Sequence, residues 1–198
     1  MMDYNSILND ALAVKPKQSR VSVTEAGLRS AALRMAAKGY VHTPETIKAL
    51  EAYLNGYDIL LTGSYGVGKT FFFDCLSTPE APIVRLNMNE AHLWKFDDLA
   101  EFLRDNACCD IVVDDIRGDA GKDYGKAYDP LIIILERRFD TLRRTHYTTN
   151  LTNEELISRL DNRDVDRLYT AKPFVITRTE SLRMPKPNQW YLNSKTSR

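Results

Sequence analysis

Eight residues restrict this chain more than any others: Gly63-Ser64-Tyr65-Gly66-Val67-Gly68-Lys69-Thr70, set between an apolar run ending at Thr62 and a helical pattern opening at Lys69. They fit G-x-x-x-x-G-K-[ST] in the strand, loop and helix context that the motif needs. Glycines at this spacing let the backbone curl so that successive N–H groups and the positive end of the next helix face one point, an arrangement suited to phosphate oxygens. The loop is therefore expected to hold ATP with Mg²⁺. Gly63 to Thr70 would cradle the phosphates, Lys69 would reach the outer phosphates as a solvent-facing side chain, and Thr70 would ligate the metal.

Beyond the loop, strand and helix patterns alternate, the signature of a parallel sheet wrapped by helices. Strands are expected at Asp58–Thr62, Ile83–Asn87, Asp110–Asp114, His146–Thr149 and Phe174–Thr177. Helices are expected at Lys69–Leu76, Asn89–Asn106, Pro130–Arg144 and Asn153–Leu160, with Leu131, Leu135 and Leu142 at helical spacing. Ahead of the first strand, Thr24–Lys38 reads as a helix capped by Thr24, with Leu28, Ala32 and Met35 on one face. A second helix starts after Thr43-Pro44 and stops near Gly56. Residues 1 to about 24 are polar and interrupted at Lys15-Pro16-Lys17, as an arm or short helix would be. The tail after Met184, closing on Trp190 and Tyr191, reads as a short packed return strand. The expected division is an N-terminal helical, partner-docking region over 1–42 and an ATPase domain over 43–198.

Composition narrows the class. Lys+Arg 27 against Asp+Glu 27 leaves no net charge for indiscriminate coating of nucleic acid, and 43% hydrophobic residues exclude a disordered tail protein. No apolar run approaches the roughly 20 residues of a membrane-spanning helix. The polar start MMDYNSILND lacks the layout of a secretory signal. Cys75, Cys108 and Cys109 form neither a disulfide framework nor a metal-ligand pattern. A cytoplasmic location is expected.

A second element, Cys109-Asp110-Ile111-Val112-Val113-Asp114-Asp115, is a buried strand that ends in two acids. Asp114 would hold the Mg²⁺ shell and Asp115 would polarise the attacking water. These acids lie beyond a long helix and another strand, so an extra strand is expected between the two motif strands. The strand near His146 closes on Asn150, whose amide can bond the γ-phosphate and the water aligned for attack, although Thr-Asn at a strand end also serves as a turn or cap. Leu160 to Leu168 sets Arg163 and Arg167 four residues apart, one face of a helical turn or simply a solvated charged surface.

Together, GSYGVGKT, IVVDDI, TTNLTNEEL running into RLDNRDVDRL, and SLR at Ser181–Arg183 resemble the DnaC/IstB-like AAA+ ATPases, a family that includes bacterial and phage replicative helicase loaders. The resemblance covers roughly residues 45–184. It implies an α/β, three-layer P-loop NTPase of the additional-strand AAA+ type, with a five-stranded parallel sheet and a small N-terminal helical region. The implied activity is hydrolysis of ATP with Mg²⁺ to load or remodel a DnaB-like replicative helicase on single-stranded DNA, with self-assembly through an arginine finger. By the same resemblance Asn150 looks like sensor I, Arg167 like the finger offered to a neighbour's ATP, and Arg183 like sensor II. Arg163 competes for the finger role. The implied catalytic set is Lys69, Asp115, Asn150 and Arg167, with Asp115 and Asn150 alternatives for positioning water. The N-terminal region and the segment Asn89 to Ala107 are both more compact than is usual in this group. Rival readings are an IstB-like helper of a transposase, an adaptor that ATP merely locks, and a small-molecule kinase, which would carry an arginine-rich lid.

Overall fold

The computed structural model describes residues 22–117, 122–123, 126–139, 141, 143–178 and 181. Among the described residues two helices precede the sheet. Helix α1 (Glu25–Ala37) starts at Thr24, whose side chain accepts the Gly27 N–H, and α2 (Pro44–Leu54) starts at a capping box between Thr43 and Thr46 with Pro44 in its first turn. There follow β1 (Ile59–Gly63), α3 (Lys69–Leu76), β2 (Ile83–Asn87), the short α4 (Met88–Ala91), α5 (Phe96–Asp105) and β3 (Asp110–Ile116). A small antiparallel hairpin, β4 (Lys122–Asp123) and β5 (Lys126–Ala127), leads to α6 (Pro130–Phe139), β6 (Thr145–Thr149), α7 (Asn153–Arg159), α8 (Asn162–Leu168) and β7 (Lys172–Ile176).

Five strands form one parallel sheet in the order β2-β3-β6-β1-β7. Strand β6 thus separates β1, which feeds the glycine-rich loop, from β3, which carries the two acids. This is the extra strand expected from the spacing of the motifs. Alternation along each strand sends neighbouring side chains to opposite faces. Ile59, Leu61 and Val112 pack with Phe72 and Phe73 of α3 and with Ala31, Met35, Ala49 and Leu50 of α1 and α2. Leu60, Ile111, Val113 and Tyr147 pack on the other side with Leu99, Leu103, Leu131, Leu135, Leu156 and Val165. Each Val, Leu, Ile, Phe or Met side chain among them contributes about 1.5–3 kcal/mol when fully buried, so it is this double-sided burial that fixes the helices on the sheet. The result is a three-layer α/β fold. Among the described residues no helix is long and apolar enough to cross a membrane.

The helix expected over Asn89–Asn106 is in fact two. The Lys95 N–H is taken by Asp98 Oδ2 at 3.1 Å, a side-chain cap that starts α5 afresh instead of continuing α4. The helix expected to reach Arg144 ends at Phe139. Thr141 Oγ1 donates to the Arg138 carbonyl at 2.9 Å, and the Arg144 N–H turns to Asp110 Oδ1 at 2.9 Å, drawing the chain into β6. Strand β3 runs two residues beyond Asp114, and β7 begins two residues before Phe174. The hairpin β4–β5 was not expected from the sequence. Helix α8 forms where the two arginines are spaced, with Asp161 accepting the Asp164 N–H at 2.8 Å. Residues 1–21, Leu142, Arg183 and the proposed return strand after Met184 lie outside the described residues.

Candidate active site

The site is built where β1, β3 and β6 end side by side. Strand β1 closes on Gly63 at φ 143°, where a Cβ would meet the Ile176 carbonyl oxygen at 2.6 Å. Gly66 has φ 79°, and a Cβ there would fall 2.1 Å from Ser181 Oγ. Side chains are excluded at both places, so the loop can curl tightly under its own backbone. Val67 is 3% exposed and packs its side chain into the layer with Phe72, which leaves only its backbone to the loop.

Lys69 opens α3. It is 8% exposed, and its Nζ donates to the Gly63 carbonyl at 2.7 Å, the Ser64 carbonyl at 2.8 Å and Asn150 Oδ1 at 2.6 Å. The expected solvent-facing lysine is thus folded back over its own loop, because an ammonium removed from water must be surrounded by acceptors. Thr70 Oγ1 donates to Asp114 Oδ1 at 2.8 Å, and Thr148 Oγ1 donates to the same oxygen at 2.6 Å.

In a regular strand Asp114 and Asp115 would point to opposite faces. Here the pairing of β3 with β6 shifts between Val113 and Ile116, and Asp115 takes a left-handed φ of 61°. The bulge turns both acids toward one cleft and returns Ile116, 1% exposed, to the core. A left-handed non-glycine residue costs roughly 1–2 kcal/mol. The Asp115 N–H donates to Thr148 Oγ1 at 2.9 Å, which helps hold this conformation. Its carboxylate accepts Asn150 Nδ2 at 2.8 Å on Oδ1, and on Oδ2 it accepts Asn89 Nδ2 at 3.1 Å together with the Arg117 guanidinium.

The cleft has a volume of about 560 Å³. Of the residues singled out in the sequence, Tyr65, Gly66, Gly68, Lys69, Thr70, Asp114, Asp115 and Asn150 line it, while Gly63 and Ser64 supply carbonyls to Lys69. Arg167 lies elsewhere, on α8, with Nη1 2.9 Å from Asp164 Oδ1 and 3.4 Å from Glu136 Oε1. Arg163 is exposed in the first turn of the same helix. Five lining residues, Phe71, Asn87, Asn89, Arg117 and Thr148, escaped the sequence reading. Thr148 had a signal: it stands two residues before Asn150, and strand periodicity puts the two on one face.

Among the described residues no group of three or more His, Cys, Asp or Glu could hold a metal by itself. The Thr70 hydroxyl and Asp114 carboxylate nevertheless converge as hard oxygen donors. Such a pair suits Mg²⁺, which fills most of its octahedron with water and phosphate oxygens.

No protein-family model matches the sequence, and no curated protein matches it. Solved structures do. The DnaC helicase loader is 18% identical with a TM-score of 0.50, over 82% of this chain and 96% of that one. DnaI is 20% identical with a TM-score of 0.51, over 89% of this chain and 96% of that one. AMPPCP-bound DnaA from Aquifex aeolicus is 14% identical with a TM-score of 0.56, over 80% of this chain and 53% of that one. With the extra strand between β1 and β3 and the loop leading into α3, these likenesses show that the chain shares the fold of the DnaC helicase loader and of DnaI.

Proposed function

We propose that this chain is an AAA+ ATPase that loads or remodels a replicative DNA helicase on single-stranded DNA. The observation that carries the reading is the hydrogen-bonded run from Lys69 through Asn150 to Asp115, beside the Thr70–Asp114 pair. It ties a phosphate-binding loop to an acid placed for water. The partner half of the reading is supported by the TTNLTNEEL–RLDNRDVDRL stretch and by a fold shared with a DnaC helicase loader.

In this reading Lys69 and the backbone of residues 63–70 hold the triphosphate. Mg²⁺ at Thr70 and Asp114, when bound, neutralises charge on the phosphate oxygens. Asp115 or Asn150 orients a water, whose oxygen bonds the γ-phosphorus while the bond to the β–γ bridging oxygen breaks. ADP leaves with that oxygen, and the proton lost by the water passes to Asp115 or to the released phosphate. Arg167 of an adjacent subunit, or Arg163 in its stead, stabilises the transferred phosphoryl group, and Arg183 serves the nucleotide as sensor II. Residues 1–42 dock the helicase.

Lys69→Ala should weaken ATP binding at least about tenfold, the scale of a lost charge-assisted hydrogen bond, while leaving the far-ultraviolet circular dichroism unchanged. Undiminished hydrolysis by that variant would remove the ATPase assignment. Deleting residues 1–22 keeps Val23, whose N–H donates to Asn55 Oδ1 at 2.8 Å, and the Thr24 cap. Hydrolysis should therefore persist while helicase capture in a pull-down is lost. Capture at full affinity would put the docking site on the ATPase core, and recovery of a transposase instead of a helicase would replace the partner.

A further inference from the structure

Arg117 is used by none of the roles above, yet it lines the cleft. After the bulge sends Ile116 into the core, the next residue returns to the side of Asp115, and the Arg117 guanidinium meets Asp115 Oδ2 through Nε at 3.3 Å and Nη2 at 3.1 Å. Asn89 Nδ2 donates to the same oxygen at 3.1 Å, and Asn150 Nδ2 holds the other at 2.8 Å. A carboxylate oxygen offers two lone pairs, so three donors on Oδ2 leave it no capacity to orient a water. The acid assigned to activate water is thus engaged on its outer oxygen by a cation two residues along the chain.

The charges around the cleft suggest what releases it. Its lining cations among the described residues are Lys69 and Arg117, set against the acids Asp114 and Asp115. Lys69 lies at the inner end of a run that passes through Asn150 and Asp115, and Arg117 lies at the outer end. A terminal phosphate held by Lys69 brings roughly two negative charges and three acceptor oxygens to this run, and a guanidinium fork matches such an oxyanion as well as it matches a carboxylate. The Arg117 side chain is 48% exposed, so it has room to move, whereas Asp115 is fixed by Thr148 and Asn150.

We propose that Arg117 is a positioning residue that exchanges Asp115 for the terminal phosphate of a nucleoside triphosphate, freeing Asp115 Oδ2 for water only when that phosphate is present. The proposal rests on the reading of this cleft as an ATP site. It makes the availability of that oxygen depend on the group to be hydrolysed, and a diphosphate leaves Arg117 on Asp115. The residue therefore contributes to the preference for tri- over diphosphate as well as to turnover.

The test is the ratio of affinities for a non-hydrolysable ATP analogue and for ADP, titrated with Mg²⁺ against the full chain, alongside kcat and KM for ATP. Arg117→Ala should lower that ratio about tenfold, within the usual range of coupling between a ligand and a switchable contact, with ADP affinity unchanged. Arg117→Lys, which keeps the charge without the fork, should recover part of it. A ratio in Arg117→Ala equal to that of the parent, whether kcat rises or falls, overturns the proposal, because a tether that merely shapes Asp115 would alter kcat alone. The two readings separate cleanly. A parent that discriminates through Arg117 but does not hydrolyse ATP keeps this proposal and loses the ATPase, while a hydrolysing parent whose ratio ignores Arg117 does the reverse.

Discussion

Asp115 is the one non-glycine residue among those described that has a positive φ, and it sits where the candidate chemistry is. Strained backbone at such a place has to be held by its surroundings, and here Thr148, Asn150, Asn89 and Arg117 all bond the residue. Aspartate and asparagine are the side chains that tolerate the left-handed region best, so Asp115→Asn suits the backbone at this position. The backbone conformation should survive while the negative charge facing the water is lost. Turnover should fall about 10²-fold, the lower end of what a general base contributes, with ATP binding retained. Single-turnover hydrolysis and nucleotide titration on the same preparation check both halves. If turnover is normal, water positioning belongs to Asn150.

At the scale of elements, the site depends on β6 as much as on the two motif strands. Thr148 is 1% exposed, and its hydroxyl donates to Asp114 and accepts from the Asp115 N–H, so one side chain aligns both acids. Thr149 Oγ1 donates to the Ile116 carbonyl at 2.8 Å and locks the far side of the bulge. Thr148→Val keeps shape but leaves the Asp115 N–H and one Asp114 lone pair without this partner. It should cost about 1–3 kcal/mol in urea unfolding and reduce turnover with it. A variant of parental stability and activity would show that the bulge stands without this hydroxyl. The sheet itself was legible because strands such as Ile59–Gly63 and Asp110–Ile116 are short apolar runs between turn signals, and α3 was legible to the residue because the loop motif dictates where it starts. The bulge was not. Nothing in the string Asp114-Asp115-Ile116 says that the pairing with β6 slips, since that depends on contacts with a strand some thirty residues away. The break between α4 and α5 and the early end of α6 were hidden for a similar reason. Each is decided by a side chain, Asp98 or Thr141, bonding the backbone in competition with the helix.

At the scale of the whole molecule, an arginine that acts on a neighbour's nucleotide has to be presented at the surface, and α8 offers two candidates in different settings. Arg163 is exposed in its first turn. Arg167, near the other end, is held in its own chain by Asp164 and Glu136 and lies 5.9 Å from the centre of the Phe139 ring. Partial desolvation pulls the Arg167 pKa down, but its bonds to Asp164 and Glu136 outweigh that and raise it, so it stays cationic throughout the pH range of an assay. The contacts with Glu136 and Phe139 clamp α8 to α6. Arg167→Ala should therefore lower the thermal unfolding midpoint as well as turnover, whereas Arg163→Ala should leave the midpoint alone, and this separates folding from catalysis before any kinetics are read. If Arg167 is the finger, its alanine variant still binds ATP but hydrolyses it about 10³-fold more slowly. Mixing that variant with Lys69→Ala then restores activity, because some interfaces join an intact loop on one subunit to an intact Arg167 on the next. Should Arg163→Ala give that complementation and Arg167→Ala not, the finger moves four residues and Arg167 is left as the clamp between α6 and α8. If neither variant complements Lys69→Ala, hydrolysis is completed within one subunit and the arginine finger has no place in this chain.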